Sequence, residues 1–415
     1  MLVCSSFLGY LQLAMAVDCC AYWHIFTILL NSTQRGSPMR ITVLGSGLVG
    51  GPIAIDLSND RRFSIKAVDA NSEALERLRH HNISTVQADL KDVAVLKGIL
   101  KECDLVVSAV PGQMGLATLK SIIEAGKNVV DIAFFPEDPF VLDQEARQRG
   151  VTAIVDCGVA PGMSNLLTGY AASLLDETSS VLIYVGGLPQ VRQWPYDYKA
   201  VFSPMDVIEE YTRPARYVEN GNVVVRPALS DPEYIHFPNI GTLEAFNTDG
   251  LRTLIRTITA ANMKEKTLRY PGHIEKIAIL RETGFFSRDK IEFNGNMMRP
   301  IDFTAKILFP MWKMNEGDAD LTVMRIEVKG TKNGQKTAHR FDLLDRYDET
   351  TKTNSMARTT GYTATAAVRL IAEGLYRTTG IVPPEIIGRE HTCVEFMLKR
   401  LAERNVIYTH TTPSE

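Results

Sequence analysis

The chain has 415 residues, 45% of them hydrophobic and 22% charged, an ordinary globular composition that excludes disordered, collagen-like and low-complexity classes. That length is too great for one core and predicts two or three domains of roughly 100–200 residues. With 45 Lys plus Arg against 48 Asp plus Glu, the formal charge is −3, and no basic block offers a footing for nucleic acid or an anionic membrane surface.

Residues 1–30 are apolar but interrupted by Asp18 and His24, and no Lys or Arg precedes Arg35. A signal peptide wants a basic start, and a membrane helix wants ~20 apolar residues with no charge near the middle. Residues 1–38 are therefore expected to stand outside the fold, as an over-extended start or a disordered leader, with a targeting or anchoring segment as the alternative. The six cysteines (Cys4, Cys19, Cys20, Cys103, Cys157, Cys393) form no C-x-x-C pair and no zinc spacing. No metal is expected, and scattered thiols fit a reducing cytoplasm.

From Met39 onward strand and helix alternate. Residues 39–44 (MRITVL) read as a strand, and Gly45-Ser46-Gly47-Leu48-Val49-Gly50 then opens a helix running to Asn59. Further strands are predicted at 64–68, 83–86, 104–110, 128–132 and 151–155. A helix is predicted over 72–80 from the spacing of Ala74, Leu75 and Leu78. Regular βα alternation predicts an α/β fold whose first part, residues 39–160, is a Rossmann domain with a doubly wound parallel sheet.

In a chain with 29 glycines, G-x-G-x-x-G alone is a weak signal. Here it follows a strand, opens a helix, and is answered by Asp69 at the end of the next strand. Gly45, Ser46, Gly47, Leu48, Val49 and Gly50 are thus the expected pyrophosphate cradle, on the amide end of the helix. Asp69 would accept hydrogen bonds from the adenosine ribose and repel a 2′-phosphate, which predicts NAD over NADP. Asp89 reads as an adenine-side contact or as a helix N-cap. Ala109, Val110 and Pro111 should lie under the adenosine-distal half of the cofactor. The competing reading is a Rossmann-like fold with a vestigial site.

Beyond residue 150 the pattern changes. Asp156 to Asn165 (DCGVAPGMSN) reads as a strand-exit loop leading into a helix. From Val181 the strands lengthen and look antiparallel. Asn220-Gly221 and Asn333-Gly334 mark hairpins joining 216–219 to 223–226 and 321–329 to 337–344. Ser203-Pro204 starts a helix with proline in its first position. Residues 161–354 are expected to form a mixed α/β domain. Helices over 355–376 and 392–404, within a C-terminal segment 355–415, are expected to return to the Rossmann domain.

The blocks VLGSGLVG, AVPG, DCGVAPGMSN, YVGGLP, FSPMDVIEEYTRPARYVENG, EAFNTDGLRT, LRYPGHIEK and GIVPPEI stand in that order. So arranged, the chain resembles the saccharopine dehydrogenase-like enzymes over residues 39–400, and among them the lysine 6-dehydrogenase branch. The leader departs from the pattern. The resemblance implies a substrate domain that also mediates dimerisation, and a homodimer acting on a small amino-acid substrate. The implied reaction is NAD-dependent oxidative deamination of the L-lysine ε-amino group to the 6-semialdehyde (allysine). Two alternatives stay open. One is a saccharopine- or carboxynorspermidine-type reaction on an N-substituted amino acid, and the other is a non-catalytic NAD-binding scaffold.

Amine oxidation by hydride transfer needs a base and a clamp on the amino-acid end. Asp156, ending the sixth strand, would hold the ammonium or activate water, or else bond the amides of its own turn. His273, at a helix start, would be an acid–base group or a satisfied structural histidine. Arg252 would pair with the substrate α-carboxylate, as the resemblance favours, or form a surface or interdomain ion pair. Tyr198, Lys199 and Glu244 are further substrate-side candidates. Cys157 reads as small buried filler.

Overall fold

Short apolar strands separated by helices build the first sheet. In the computed structural model, which describes residues 37–202, 204–315 and 317–413, they run in this order: β1 (Met39–Leu44), α1 (Gly50–Ser58), β2 (Phe63–Asp69), α2 (Ser72–Glu76), β3 (Ile83–Gln87), α3 (Val93–Leu100), β4 (Leu105–Ser108), α4 (Gly112–Glu124), β5 (Asn128–Asp131), α5 (Asp143–Gln148) and β6 (Thr152–Ile154). The leader reading for residues 1–36, and Ser203, lie outside the described residues. Strand order is β3-β2-β1-β4-β5-β6, with a seventh strand, Gly380–Val382, pairing in parallel beyond β6. The order reverses between β1 and β4, which leaves a crevice at their carboxyl ends. Leu44, Val106, Ile122, Val129 and Val155 are among the residues of the core beneath it. All six expected strands of this sheet form. The helix expected over 72–80 stops at Glu76, and residues 77–80 continue as tighter turns whose amides bond three residues back, Leu78 N to Leu75 O at 3.0 Å and Arg79 N to Glu76 O at 3.1 Å.

The second sheet follows α6 (Met163–Leu174). Its elements are β7 (Glu177–Pro189), α7 (Pro204–Thr212), β8 (Ala215–Glu219), β9 (Asn222–Arg226), β10 (Glu233–Phe237), β11 (Gly241–Asn247), α8 (Leu254–Thr257), β12 (Asn262–Arg269), α9 (His273–Glu282), β13 (Ile291–Phe293), β14 (Asn296–Met298), α10 (Pro300–Trp312), β15 (Asp320–Lys332) and β16 (Gln335–Arg346). Both expected hairpins form, with Asn220 and Gly221 at φ 50° and 77° and Asn333 and Gly334 at φ 50° and 76°. Those positive angles are what Asn-Gly supplies in a two-residue turn matched to strand twist. One pairing departs from the antiparallel expectation: β12 lies parallel to β7 at the sheet centre.

The C-terminal segment comprises α11 (Ser355–Ala372), β17 (Gly380–Val382), α12 (Pro384–Ile387), α13 (His391–Ala402) and β18 (Tyr408–Thr411). Its helices return to the Rossmann sheet as expected. Arg369 of α11 and Arg404 just after α13 both pair with Asp56 of α1, at 2.8 and 2.6 Å. The segment also gives a strand to each sheet: β17 extends the parallel one and β18 pairs with β16. Strands of three or four residues carry no readable period, so only long-range pairing reveals them. No helix among the described residues is long and apolar enough to cross a membrane.

Candidate active site

A cavity of about 670 Å³ opens at the crevice of the first sheet and reaches across to the second. Gly45, Gly47, Leu48, Val49, Gly50, Asp69, Asp89, Ala109, Val110 and Pro111 all line it. The glycines make the loop possible. A Cβ on Gly50 would sit 2.0 Å from the Gly45 carbonyl oxygen, whereas a Cβ on Gly47 would meet nothing within 4 Å. Close packing of α1 on its strand and open space above the loop fit a pyrophosphate drawn to the helix amides. Asp69 is held at the rim by two amides, Ser46 N to Oδ2 at 2.6 Å and Asn71 N to Oδ1 at 2.8 Å. Each oxygen keeps a lone pair for a ribose hydroxyl. Ser46 itself is buried and acts through that amide, away from the cavity lining. Asp89 does not cap α3. Asp92 does that, accepting from Ala94 N and Val95 N. Lys91, which the sequence reading passed over, also lines the cavity near Asp89.

The expected catalytic pair departs from its assigned roles. Asp156 is fully enclosed and spends its carboxylate on Arg252, whose Nη2 and Nε donate to it at 3.0 and 3.2 Å. Arg252 Nη1 donates to the Phe135 carbonyl, and the guanidinium lies over the Phe134 and Phe135 rings. Both residues sit at positive φ, 51° and 52°, a conformation costly for side-chain-bearing residues and kept here by the ion pair. Neither lines the cavity. Of the alternatives weighed for Arg252, a surface or interdomain ion pair, the structure shows an ion pair, with Asp156, and it is buried. Burial pushes the neighbouring Cys157 thiol well up, and the Asp131 and Asp156 carboxylates push it further, so the thiol is inert.

His273 is likewise consumed. Its Nδ1 donates to the Tyr196 carbonyl at 2.8 Å, which leaves Nε2 to accept from the Tyr211 hydroxyl at 2.9 Å. Burial and the Arg269 charge push its pKa down to about 3, so it is neutral and has no lone pair to spare. Tyr198 is buried under the Arg269 guanidinium, 4.6 Å from ring to carbon. Lys199 donates to the Lys313 carbonyl at 3.2 Å, and Glu244 accepts from Gly272 N at 3.1 Å. None of the four lines the cavity. Tyr198 and His273 belong to the aromatic core between α7, α9 and α10, Lys199 ties to the residue after α10, and Glu244 secures the turn into α9.

The second wall of the cavity is built instead from α7, the turn after β11, and β12. It presents Asp206, Glu209, Glu210, Arg213, Thr248, Asp249, Gly250, Glu265, Thr267 and Arg269. Glu265 stands out. Thr248 Oγ1 donates to it at 2.5 Å and lies 2.9 Å from the Thr267 hydroxyl, so the two threonines form a relay of donors ending on the carboxylate. Burial pushes the Glu265 carboxyl up to about 8 against the Thr248 bond, which lowers it, and the Glu210 and Asp249 charges push it further up. Space for that carboxylate comes from Gly250, where a Cβ would stand 2.3 Å from it. The sequence signal for Glu265 was slight: one acid in the charged run Lys264-Glu265-Lys266, which reads as a solvated edge strand until β12 is seen at the sheet centre.

Residues 41–154 match the family described as the saccharopine dehydrogenase NADP binding domain, and residues 158–407 match that described as the saccharopine dehydrogenase C-terminal domain. The NADP(+), L-glutamate-forming saccharopine dehydrogenase of Pyricularia oryzae is 27% identical over 65% of this chain and 62% of its own length. Mitochondrial alpha-aminoadipic semialdehyde synthase of Mus musculus is 28% identical over 60% of this chain. The chain spans less than two thirds of these relatives, and only 29% of the second. The solved apo histidine-tagged saccharopine dehydrogenase (L-Glu forming) from Saccharomyces cerevisiae shares the fold, with a TM-score of 0.73 at 17% identity, over 91% of this chain and 100% of that one.

Proposed function

The chain belongs to the saccharopine dehydrogenase family, and on that premise we propose that it is an NAD-dependent oxidoreductase that deaminates the lysine ε-amino group to the 6-semialdehyde. The observation that carries this reading is the makeup of the second wall, where Arg213 and Arg269 are the cations, Asp249 and Glu209 are shared with Arg216 and Arg288, and the enclosed Glu265 faces the dinucleotide crevice. That wall suits a substrate with an amine and one carboxylate. A tricarboxylate such as saccharopine would need more cations than Arg213 and Arg269 supply. The names of the relatives favour a second reading, oxidation of an N-substituted amino acid at the same kind of carbon, for which the same proton acceptor serves.

A nicotinamide dinucleotide held by the Gly45–Gly50 loop and Asp69 would supply the hydride acceptor for the carbon beside the amine. The protein's own task is the proton. Burial raises the pKa of a carboxyl and lowers that of an ammonium, so Glu265 and the substrate amine, ordinarily about six units apart, are drawn toward each other. Glu265 then takes the ammonium proton, with Thr248 steadying the charge it acquires, and returns a proton to nitrogen as water displaces ammonia. A methyl group at position 250 would drive this carboxylate out of place. Gly250→Ala should therefore lower kcat by about a hundredfold with NAD affinity retained, measured by NADH formation and by cofactor fluorescence titration.

Asp69 supports NAD as the cofactor, with kcat/KM at least about tenfold above that for NADP. Asp69→Ala, which leaves Lys91 and Asp89 as the charges at the rim, should narrow the ratio; equal values in wild type would remove Asp69 from this role. The assignment of substrate is tested by NADH formation across lysine, ornithine, saccharopine and polyamines. Lysine should dominate. Saccharopine turnover alone would establish the second reading, and tight NAD binding without any amine-dependent turnover would mark a scaffold. Exposed Ile291, Phe293, Met297, Phe303 and Ile307 support the homodimer, and the free, buried Cys103, Cys157 and Cys393 suit a reducing cytoplasm.

A further inference from the structure

We propose that Arg213, rather than Arg252, is the residue that binds the substrate carboxylate and so selects an amino acid over a simple amine. The proposal deepens the amino-acid reading above and rests on it. Arg213 directly follows α7 and lines the cavity, with its side chain 14% exposed. Its Nη1 is buried and has no hydrogen-bond partner. The guanidinium lies 4.8 Å from the centre of the Phe134 ring, itself part of the cavity lining, and Nη2 approaches Glu209 no closer than 3.6 Å. Glu209 is shared with Arg288, which dilutes that pairing.

The other cation of the wall is already spent. Arg269 donates from Nε to Tyr211, from Nη1 to the Leu268 carbonyl and from Nη2 to Glu210. Arg213 is therefore the guanidinium on this wall with a buried donor to give. Burial holds its pKa below the usual guanidinium value; the Glu209 and Asp249 charges oppose this, while Arg252 and Arg216 reinforce it. An arriving carboxylate would supply the acceptor that Nη1 lacks and a closer counter-charge than Glu209. With the amine at Glu265 and the carboxylate at Arg213, the cavity reads the two ends of one substrate.

The test uses the NAD-loaded full chain with lysine, with 6-aminohexanoate, which keeps the carboxylate but lacks the α-amine, and with 1,5-diaminopentane, which lacks the carboxylate. Calorimetry gives affinities and NADH formation gives kcat and KM. Arg213→Gln should weaken lysine and 6-aminohexanoate by at least about thirtyfold. It should leave 1,5-diaminopentane and NAD within about threefold. Arg213→Lys, a point charge without the fork, should restore part of the loss. Equal losses for all three ligands, or none for lysine, would overturn the proposal. Arg213-dependent binding of 6-aminohexanoate without turnover of any amine would uphold the clamp while refuting the oxidative reading.

Discussion

Glu265→Gln is expected to lower kcat by at least about a hundredfold while leaving NAD affinity within about threefold. The amide keeps the shape and the Thr248 contact but cannot take a proton. In the wild type, kcat/KM should climb through about pH 8, where the free enzyme's Glu265 ionises, and the variant should lose that limb. A profile that climbs only near ~10, the ordinary range of a lysine amine, would show that the substrate deprotonates in solution and that Glu265 is no base. Stability supplies an independent readout. A carboxyl whose folded pKa lies above its unfolded value binds its proton more tightly when folded, so its contribution is complete below the unfolded pKa of 4.5 and is lost as pH climbs through about 8. Denaturant midpoints should fall over that window in the wild type and stay flatter in Glu265→Gln.

Asp156→Ala is expected to destabilise the protein by about 3–5 kcal/mol, the largest effect on folding foreseen here, because it strands a buried guanidinium. Arg252 would keep the Phe135 carbonyl and two aromatic faces but lose its counter-ion. Removing both charges, in Asp156→Ala with Arg252→Met, should recover a good part of the loss, since the cost lies in the unpaired charge more than in the absent pair. Urea unfolding of the wild type, Asp156→Ala, Arg252→Met and the double variant checks this. If Asp156→Asn were to fold with wild-type stability and yet lose a hundredfold in kcat, Asp156 would be the catalyst that the sequence suggested, and the role of Glu265 would fall.

The cofactor half was legible because its signals are local. A tight glycine turn, the helix it opens and an acid at the end of the next strand lie within 25 consecutive residues, Gly45 to Asp69, and each is dictated by backbone sterics or by strand period. Two Asn-Gly turns located two hairpins for the same reason. The substrate half was not legible. Asp156 and Arg252 are each plausible site residues, and only their meeting across 96 positions shows that they neutralise one another. His273 looked poised until Tyr196 and Tyr211 were found on its two nitrogens.

Glu265 and Arg213 were hidden by the opposite effect. A charged strand and a helix end read as solvated surface unless other elements cover them, and cover is a property of packing order. The sequence by itself determined the doubly wound α/β fold, the dinucleotide loop and the family, since these reside in short contiguous patterns. Tertiary structure decided which charges are spent on the protein and which are left for a ligand. That distinction depends on how the parallel pair β7–β12, the helix α7 and the loop carrying Gly250 enclose one space, and no single stretch of chain contains it.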